Sequence, residues 1–122
     1  MSTIAVDFDG VIHAYSKGWQ DGSIYDKPMP GAFAALNTLM QAYAVMVHTT
    51  RDPAPVARWI KDRSGIETAW WQDEDELPEF WNDQNCILVT RRKLPALAYI
   101  DDRAIRFESW DQALADITGS RA

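Results

Sequence analysis

A short apolar run that ends in two acids constrains this chain more than any other stretch. It reads Thr3-Ile4-Ala5-Val6-Asp7-Phe8-Asp9-Gly10-Val11-Ile12. The branched and aromatic residues predict a buried strand. On an extended segment Asp7 and Asp9 point to the same side, roughly 6–7 Å apart. Because burial of a carboxylate is costly unless it is paired or binds a metal, the end of this strand indicates a cationic partner.

Three interpretations of this stretch compete. Asp and Gly are common turn residues, so the strand could simply run into a turn. An EF-hand calcium loop does not fit, because its glycine is the sixth residue, whereas Gly10 is the fourth counting from Asp7. The third interpretation is a phosphoryl-transfer site, in which one Asp is the nucleophile and the other is the general acid.

Length and composition limit the other possibilities. The chain has 122 residues, enough for one domain, and its 47% hydrophobic content argues against disorder. The net charge of −6 argues against a general nucleic-acid-binding surface. No apolar stretch reaches membrane-spanning length, and the N-terminus lacks a basic region followed by a long apolar run. We therefore expect a single cytoplasmic domain, 1–122, that contacts no membrane.

Strand and helix patterns alternate along the rest of the chain. Predicted strands cover 44–48, 86–90, 96–100 and 105–107, with a further short one within 67–71, and predicted helices open at Pro30-Gly31, Asp52-Pro53 and Ser109. This alternation predicts an α/β fold with a mainly parallel sheet and helices on both faces, a three-layer doubly wound arrangement. The long loop at about 13–29 carries Tyr15, Trp19 and Tyr25, which favours an ordered flap.

Polar clusters follow several of these strands directly. In a parallel sheet the ligand site lies at the carboxyl ends of the strands, so clusters that follow different strands converge on one edge. The clusters are Asp7/Asp9, Thr49/Arg51, Arg92/Lys93 and Asp101/Asp102.

Several of these strings resemble the motifs of one superfamily. Val6-Asp7-Phe8-Asp9-Gly10-Val11 resembles the first motif of the haloacid-dehalogenase-like (HAD) phosphohydrolases. Val47-His48-Thr49-Thr50-Arg51 is similar to the second, Lys93 to the third and Tyr99-Ile100-Asp101-Asp102 to the fourth. With Pro30-Gly31-Ala32, they resemble the small members without a cap domain that phage and bacterial genomes encode. The resemblance covers nearly the whole chain.

The resemblance implies a HAD-like Rossmannoid fold and a Mg²⁺-dependent phosphatase that acts through an aspartyl-phosphate. Asp7 would be the nucleophile, and Asp9 the general acid and later the base. Thr49 would donate to a phosphoryl oxygen, and Lys93 would screen the negative charges, a role that Arg92 could also take. The implied metal ligands are Asp7, Asp9, Asp101 and Asp102, with Asp101 favoured over Asp102 as the direct ligand. The candidate substrate-binding residues are Thr50, Arg51, Arg92 and Trp19.

Three alternatives stay open at this stage. A receiver domain fits less well, because its phosphoacceptor ends a middle strand of the chain. A HAD-fold protein without catalysis could bind a metal or a partner. A phosphatase acting on nucleic-acid ends would use the locally basic rim formed by Arg51, Arg91, Arg92, Lys93 and Arg103. The expected partner is otherwise a phosphorylated small molecule or nucleotide, and the sequence is compatible with an oligomer.

Overall fold

The computed structural model describes residues 2–71, 80–101 and 105–118, with the backbone alone at 101, 105, 106 and 118. Within them the chain forms six strands and three helices, in the order β1 Thr3–Asp7, α1 Ala32–Met40, β2 Ala44–His48, α2 Pro53–Ser64, β3 Thr68–Trp70, β4 Ile87–Thr90, β5 Ala98–Asp101, β6 Ile105–Arg106 and α3 Trp110–Thr118. The predicted α/β class and the position of each predicted strand are confirmed. The short strand expected within 67–71 is β3.

The strands form one sheet in the order β3-β4-β2-β1-β5-β6. Every neighbouring pair is parallel, which confirms the predicted parallel sheet. β1 lies between β2 and β5, and its residues Ile4, Ala5 and Val6 are fully buried. The carboxyl ends of these parallel strands therefore meet at one edge, where β1 delivers its acids beside the ends of β2 and β5.

One face of the sheet is covered by the helices. Ile4 and Val6 of β1 belong to a single buried cluster with residues from all three helices, including Leu36 of α1, Ile60 of α2 and Trp110 of α3. Burying a side chain of this size contributes roughly 1.5–3 kcal/mol to folding, so this cluster is the main core.

The opposite face has a smaller core. Ala5, Met46 and Leu88 pack there with Leu94, and Trp71, Trp81, Ala96 and Tyr99 lie against them. In the described part of the chain these covering residues belong to strands or irregular segments. The connection from β4 to β5, residues 91–97, is too short for a helix with two loops. The helical layer expected on this face is thus not found in the described residues, and the acidic stretch 72–79 lies outside them.

The ends of α2 match the sequence signals. Asp52 is the N-cap, and its carboxylate accepts a hydrogen bond from the Ala54 N–H at 3.2 Å. Pro53 is the first helical residue. Gly65 closes the helix with φ 75°, a left-handed conformation that glycine adopts without strain. With twelve residues α2 is the longest described helix, and no described helix is long and apolar enough to cross a membrane.

Of the other two helices, α3 has the predicted capping box and α1 begins later than predicted. At α3 the Ser109 hydroxyl accepts from the Gln112 N–H at 3.2 Å, while the Gln112 side-chain oxygen accepts from the Ser109 N–H at 3.4 Å. This is the predicted capping box. α1 begins at Ala32 rather than at Pro30, because Gly31 has φ 80° and cannot be part of a right-handed helix.

The flap, residues 13–29, is joined to the domain by backbone hydrogen bonds. The Met29 N–H donates to the Ile12 carbonyl at 2.7 Å. Within the flap, the Ser16 hydroxyl and N–H donate to one oxygen of Asp26 at 2.6 and 2.9 Å. These two bonds, together with one from the Lys27 N–H, lower the pKa of Asp26 from 3.8 to about 2. The long loop is therefore held both by its own hydrogen bonds and by one to Ile12.

Candidate active site

A cavity of about 320 Å³ lies at the carboxyl edge of the sheet, between the strand ends and the flap. It is lined by Asp7, Asp9, Tyr15, Trp19, His48, Thr49, Thr50, Lys93 and Tyr99. The predicted nucleophile, acid, phosphate-binding threonine and lysine thus meet in one cavity, although they come from three separate segments of the chain.

Asp7 is the last residue of β1 and faces the side of the sheet on which the segment with Lys93 lies. The Phe8 N–H donates to Asp7 Oδ1 at 3.0 Å. Side chains alternate along a strand, so Asp7 faces the same side of the sheet as Ala5. That side is the one crossed by residues 91–97, and Lys93 of this segment lines the cavity. Leu94, the next residue, is buried and anchors the segment that carries Lys93.

Asp9 is held by two donors, one on each oxygen. His13 Nδ1 lies 2.9 Å from Oδ1, and Arg51 Nε donates to Oδ2 at 2.8 Å. His13 Nε2 accepts the N–H of Asp26 at 3.0 Å, so the ring proton is on Nδ1 and points at Asp9. The His13 ring is fully buried and stacks on Phe8. Both oxygens of Asp9 are therefore oriented by the protein.

Arg51 lies behind the flap rather than among the lining residues of this cavity. Its side chain is 5% exposed. Besides its bond to Asp9, Nη1 donates to the Gly22 carbonyl at 2.6 Å, and Cζ lies 4.5 Å from the ring centre of Trp19. Arg51 instead lines a second, smaller cavity of about 120 Å³. Its buried Nη2 has no hydrogen-bond partner in the described residues. The arginine thus connects Asp9 to the flap.

Thr49 follows β2 and is 3% exposed. Its N–H donates to the Thr90 carbonyl at 3.0 Å, and its hydroxyl oxygen accepts from the Arg51 N–H at 3.1 Å. A hydroxyl that accepts one hydrogen bond still has its own proton to donate, so Thr49 can donate to an oxygen atom of a ligand in the cavity. Thr50, the next residue, is exposed and also lines the cavity.

Lys93 and Arg92, the two candidates for the screening cation, are placed differently. Both are exposed, and Lys93 lines the cavity whereas Arg92 is not among its lining residues. The Arg92 N–H donates to the Thr90 hydroxyl at 3.1 Å, which turns the chain at the end of β4. The position of Lys93 in the cavity therefore favours it over Arg92 as the predicted screening cation.

Three lining residues were not predicted as site residues from the sequence. Tyr15 belongs to the flap, and His48 and Tyr99 belong to β2 and β5. His48 pairs with Asp7 in the parallel register, and paired residues project to the same face. Aligning the strand ends would have placed it beside Asp7. The His48 Nε2 lies 3.1 Å from the Arg91 carbonyl, which positions the ring.

The donor set at this edge fits Mg²⁺, which prefers oxygen ligands from one or two carboxylates together with water. Asp7 and Asp101 end the adjacent strands β1 and β5, whose register pairs Val6 with Ile100. Among the side chains that the structure describes, no three His, Cys, Asp or Glu residues group together to hold a metal. The side chain of Asp101 and all of Asp102 lie outside that description. Asp9 differs from the other candidates, since both of its carboxylate oxygens accept hydrogen bonds.

Comparison of the chain with protein-family models, with curated proteins and with solved structures finds no match. The chemistry of the site is therefore argued from its own residues.

Proposed function

We propose that this chain is a Mg²⁺-dependent phosphatase of the HAD-like type, without a cap domain. The observation that carries the proposal is the single cavity that combines Asp7, Asp9, Thr49 and Lys93. They follow different strands, so their meeting is a property of the fold and not of one local turn. Phosphoryl transfer needs a nucleophile, charge neutralisation and an acid, and this set supplies all three.

In this proposal Asp7 attacks phosphorus and forms an aspartyl-phosphate, and the bond to the leaving oxygen breaks. The Thr49 hydroxyl donates to a phosphoryl oxygen, and the ammonium group of Lys93 screens the negative charge that collects beside Asp7. Mg²⁺, held by Asp7, Asp101 and Asp102, would reduce the repulsion between the two anions.

Asp9 then serves both halves of the reaction. Protonated Asp9 gives its proton to the departing alkoxide, and the resulting carboxylate takes a proton from the water that hydrolyses the aspartyl-phosphate. Each Asp9 oxygen has a second lone pair besides the one used by His13 or Arg51. Since the carboxylate is engaged in this way, Asp9 would contribute its backbone carbonyl to the metal, as the HAD resemblance implies.

The test of this proposal is the variant Asp7→Asn. Its amide is a poor nucleophile and a poor Mg²⁺ ligand, so we expect hydrolysis of phosphomonoesters to fall to background. The wild-type protein should need Mg²⁺ and lose activity when the metal is chelated. Asp62→Asn is the matched control, because Asp62 is an exposed residue of α2 that does not line the cavity.

Two outcomes would contradict the proposal. Wild-type turnover in Asp7→Asn would exclude Asp7 as the nucleophile. A wild-type protein that binds Mg²⁺ but hydrolyses none of a panel of nucleotides, sugar phosphates and phosphorylated oligonucleotides would favour the alternative of a HAD-fold protein without catalysis.

A further inference from the structure

The indole of Trp19 is exposed at a position where it can meet a bound substrate. Four large apolar side chains of the described residues are exposed, and Trp19, at 53%, is the one among them that lines the Asp7 cavity. An isolated exposed apolar residue needs no functional explanation. Trp19, however, shares a cavity with the proposed nucleophile.

The structure holds this indole in place before any ligand binds. The Arg51 guanidinium lies over the ring at 4.5 Å, and the guanidinium is itself fixed by Asp9 and by the Gly22 carbonyl. The Gly22 N–H donates to the Trp19 carbonyl at 2.9 Å. A Cβ at Gly22 would lie 2.9 Å from Trp19 Cζ2, so the close approach requires glycine. A ring fixed in advance loses little entropy when a ligand stacks on it.

The backbone around Trp19 is also strained. Tyr15 and Gln20 are the two residues other than glycine with positive φ in the described chain, at 57° and 54°. Both lie in the flap, on either side of Trp19. Such conformations are unfavourable and persist where the surrounding structure enforces them, commonly at ligand-binding segments. The flap thus adopts an unfavourable backbone conformation on both sides of the apolar ring that lines the cavity.

From these observations we infer that the substrate is a nucleoside monophosphate, with its phosphate at Asp7 and its base stacked on Trp19. This inference rests on the proposed phosphatase function and specifies its substrate class. A cavity of about 320 Å³ lies at the lower end of the range for small-molecule sites and is suited to a mononucleotide. A sugar phosphate would leave the indole uncovered. Every base has a planar face, so stacking explains affinity for nucleotides without selecting one base.

The experiment compares adenosine monophosphate with ribose 5-phosphate, which has the same phosphorylated sugar but no base. Stacking on an aromatic side chain corresponds to about 5- to 150-fold in affinity. We expect the wild-type KM for the nucleotide to be lower by a factor in this range, with a smaller difference in kcat. Trp19→Ala should raise the nucleotide KM to that of ribose 5-phosphate, and Trp19→Phe should restore part of the difference.

The control is Trp70→Ala. Trp70 is an exposed tryptophan, at 42%, which lies in β3 and does not line the cavity. This variant should keep the wild-type preference for the nucleotide. Equal KM values for the two substrates in the wild-type protein, or an equal rise in both KM values in Trp19→Ala, would overturn the inference. A low KM for a 5′-phosphorylated oligonucleotide that does not depend on Trp19 would also overturn the inference, because this result would indicate that the substrate is a nucleic-acid end.

A binding measurement separates the two levels of the argument. Adenosine monophosphate should quench tryptophan fluorescence in the wild-type protein and in Trp70→Ala, but much less in Trp19→Ala. Trp19-dependent quenching without hydrolysis would support the nucleotide site and refute the phosphatase. Hydrolysis of ribose 5-phosphate with no preference for the nucleotide would support the phosphatase and refute the nucleotide site.

Discussion

Replacement of Asp9 by Asn tests the proposed chemistry and the hydrogen bonds around this side chain together. Asp9 accepts from His13 on one oxygen and from Arg51 on the other, at 2.9 and 2.8 Å. Asn has a single oxygen, so its NH₂ group must face one of these two donors. His13 cannot relieve the conflict by moving its proton, because its Nε2 already accepts the Asp26 N–H. Either His13 or Arg51 is therefore left without its acceptor.

The expected loss of stability follows from burial. His13 is fully buried and the Arg51 side chain is 5% exposed, so neither has water as a ready substitute partner. A buried donor left unsatisfied costs about 1–3 kcal/mol, and more where the group is charged. For a domain of this size each kcal/mol lowers Tm by about 2–8 °C, so Asp9→Asn should melt about 2–24 °C below the wild-type protein.

The kinetic effect should depend on the leaving group. An acidic phenol leaves without protonation, so an aryl phosphate should still phosphorylate Asp7 in Asp9→Asn and release about one equivalent of phenol. Hydrolysis of the aspartyl-phosphate needs the base with every substrate, so turnover should fall by about 10²–10⁴-fold. With an alkyl phosphate both steps need Asp9, and little phosphoenzyme should form.

Rapid mixing followed by intact-mass detection measures the phosphoenzyme, and a thermal melt measures stability. Asp62→Asn controls for the amide substitution itself, since Asp62 is exposed. Fast steady turnover by Asp9→Asn would refute the acid and base role. A folded variant that binds Mg²⁺ but gives no burst of phenol would refute this role as well. An unchanged Tm would refute the hydrogen-bond argument.

Two further predictions concern the flap. His13→Asn keeps an N–H donor near the position of Nδ1, whereas His13→Gln places its amide near Nε2, so the Asn variant should retain more of the kcat; equal losses would show that the bond to Asp9 does not matter. Asp26 has a pKa of about 2 when folded and 3.8 ordinarily, so its stabilisation is present above about pH 4 and is lost as the pH falls toward 2. Urea unfolding should therefore show Ser16→Ala less stable than the wild-type protein at pH 6, with the difference shrinking at pH 3; a constant difference would contradict this linkage.

The strands and the edge at which the polar clusters meet could be predicted because they depend on local patterns. The apolar runs determine the strands, and their alternation with helices implies parallel pairing. The outer position of β3 could not be predicted, because it depends on which strands pair, and β4 pairs with both β2 and β3. The residues that cover the Ala5 face of the sheet could not be predicted either, because their position also depends on tertiary contacts. Trp71 and Trp81 lie there in irregular segments, where no periodicity distinguishes them from exposed residues.

The contacts of Arg51 could not be predicted for a different reason. Its place two residues after Thr49 indicates a phosphate-binding cation, and a local pattern says nothing about competing acceptors. The structure supplies two of them, the Asp9 carboxylate and the Gly22 carbonyl, and the second belongs to the flap. A buried guanidinium needs such acceptors, so the flap and Asp9 stabilise each other through it. Trp19 rests on the same guanidinium. A base stacked on Trp19, as we propose, would therefore lie on a ring that contacts the group orienting Asp9, which links the proposed substrate recognition to the proposed proton transfer.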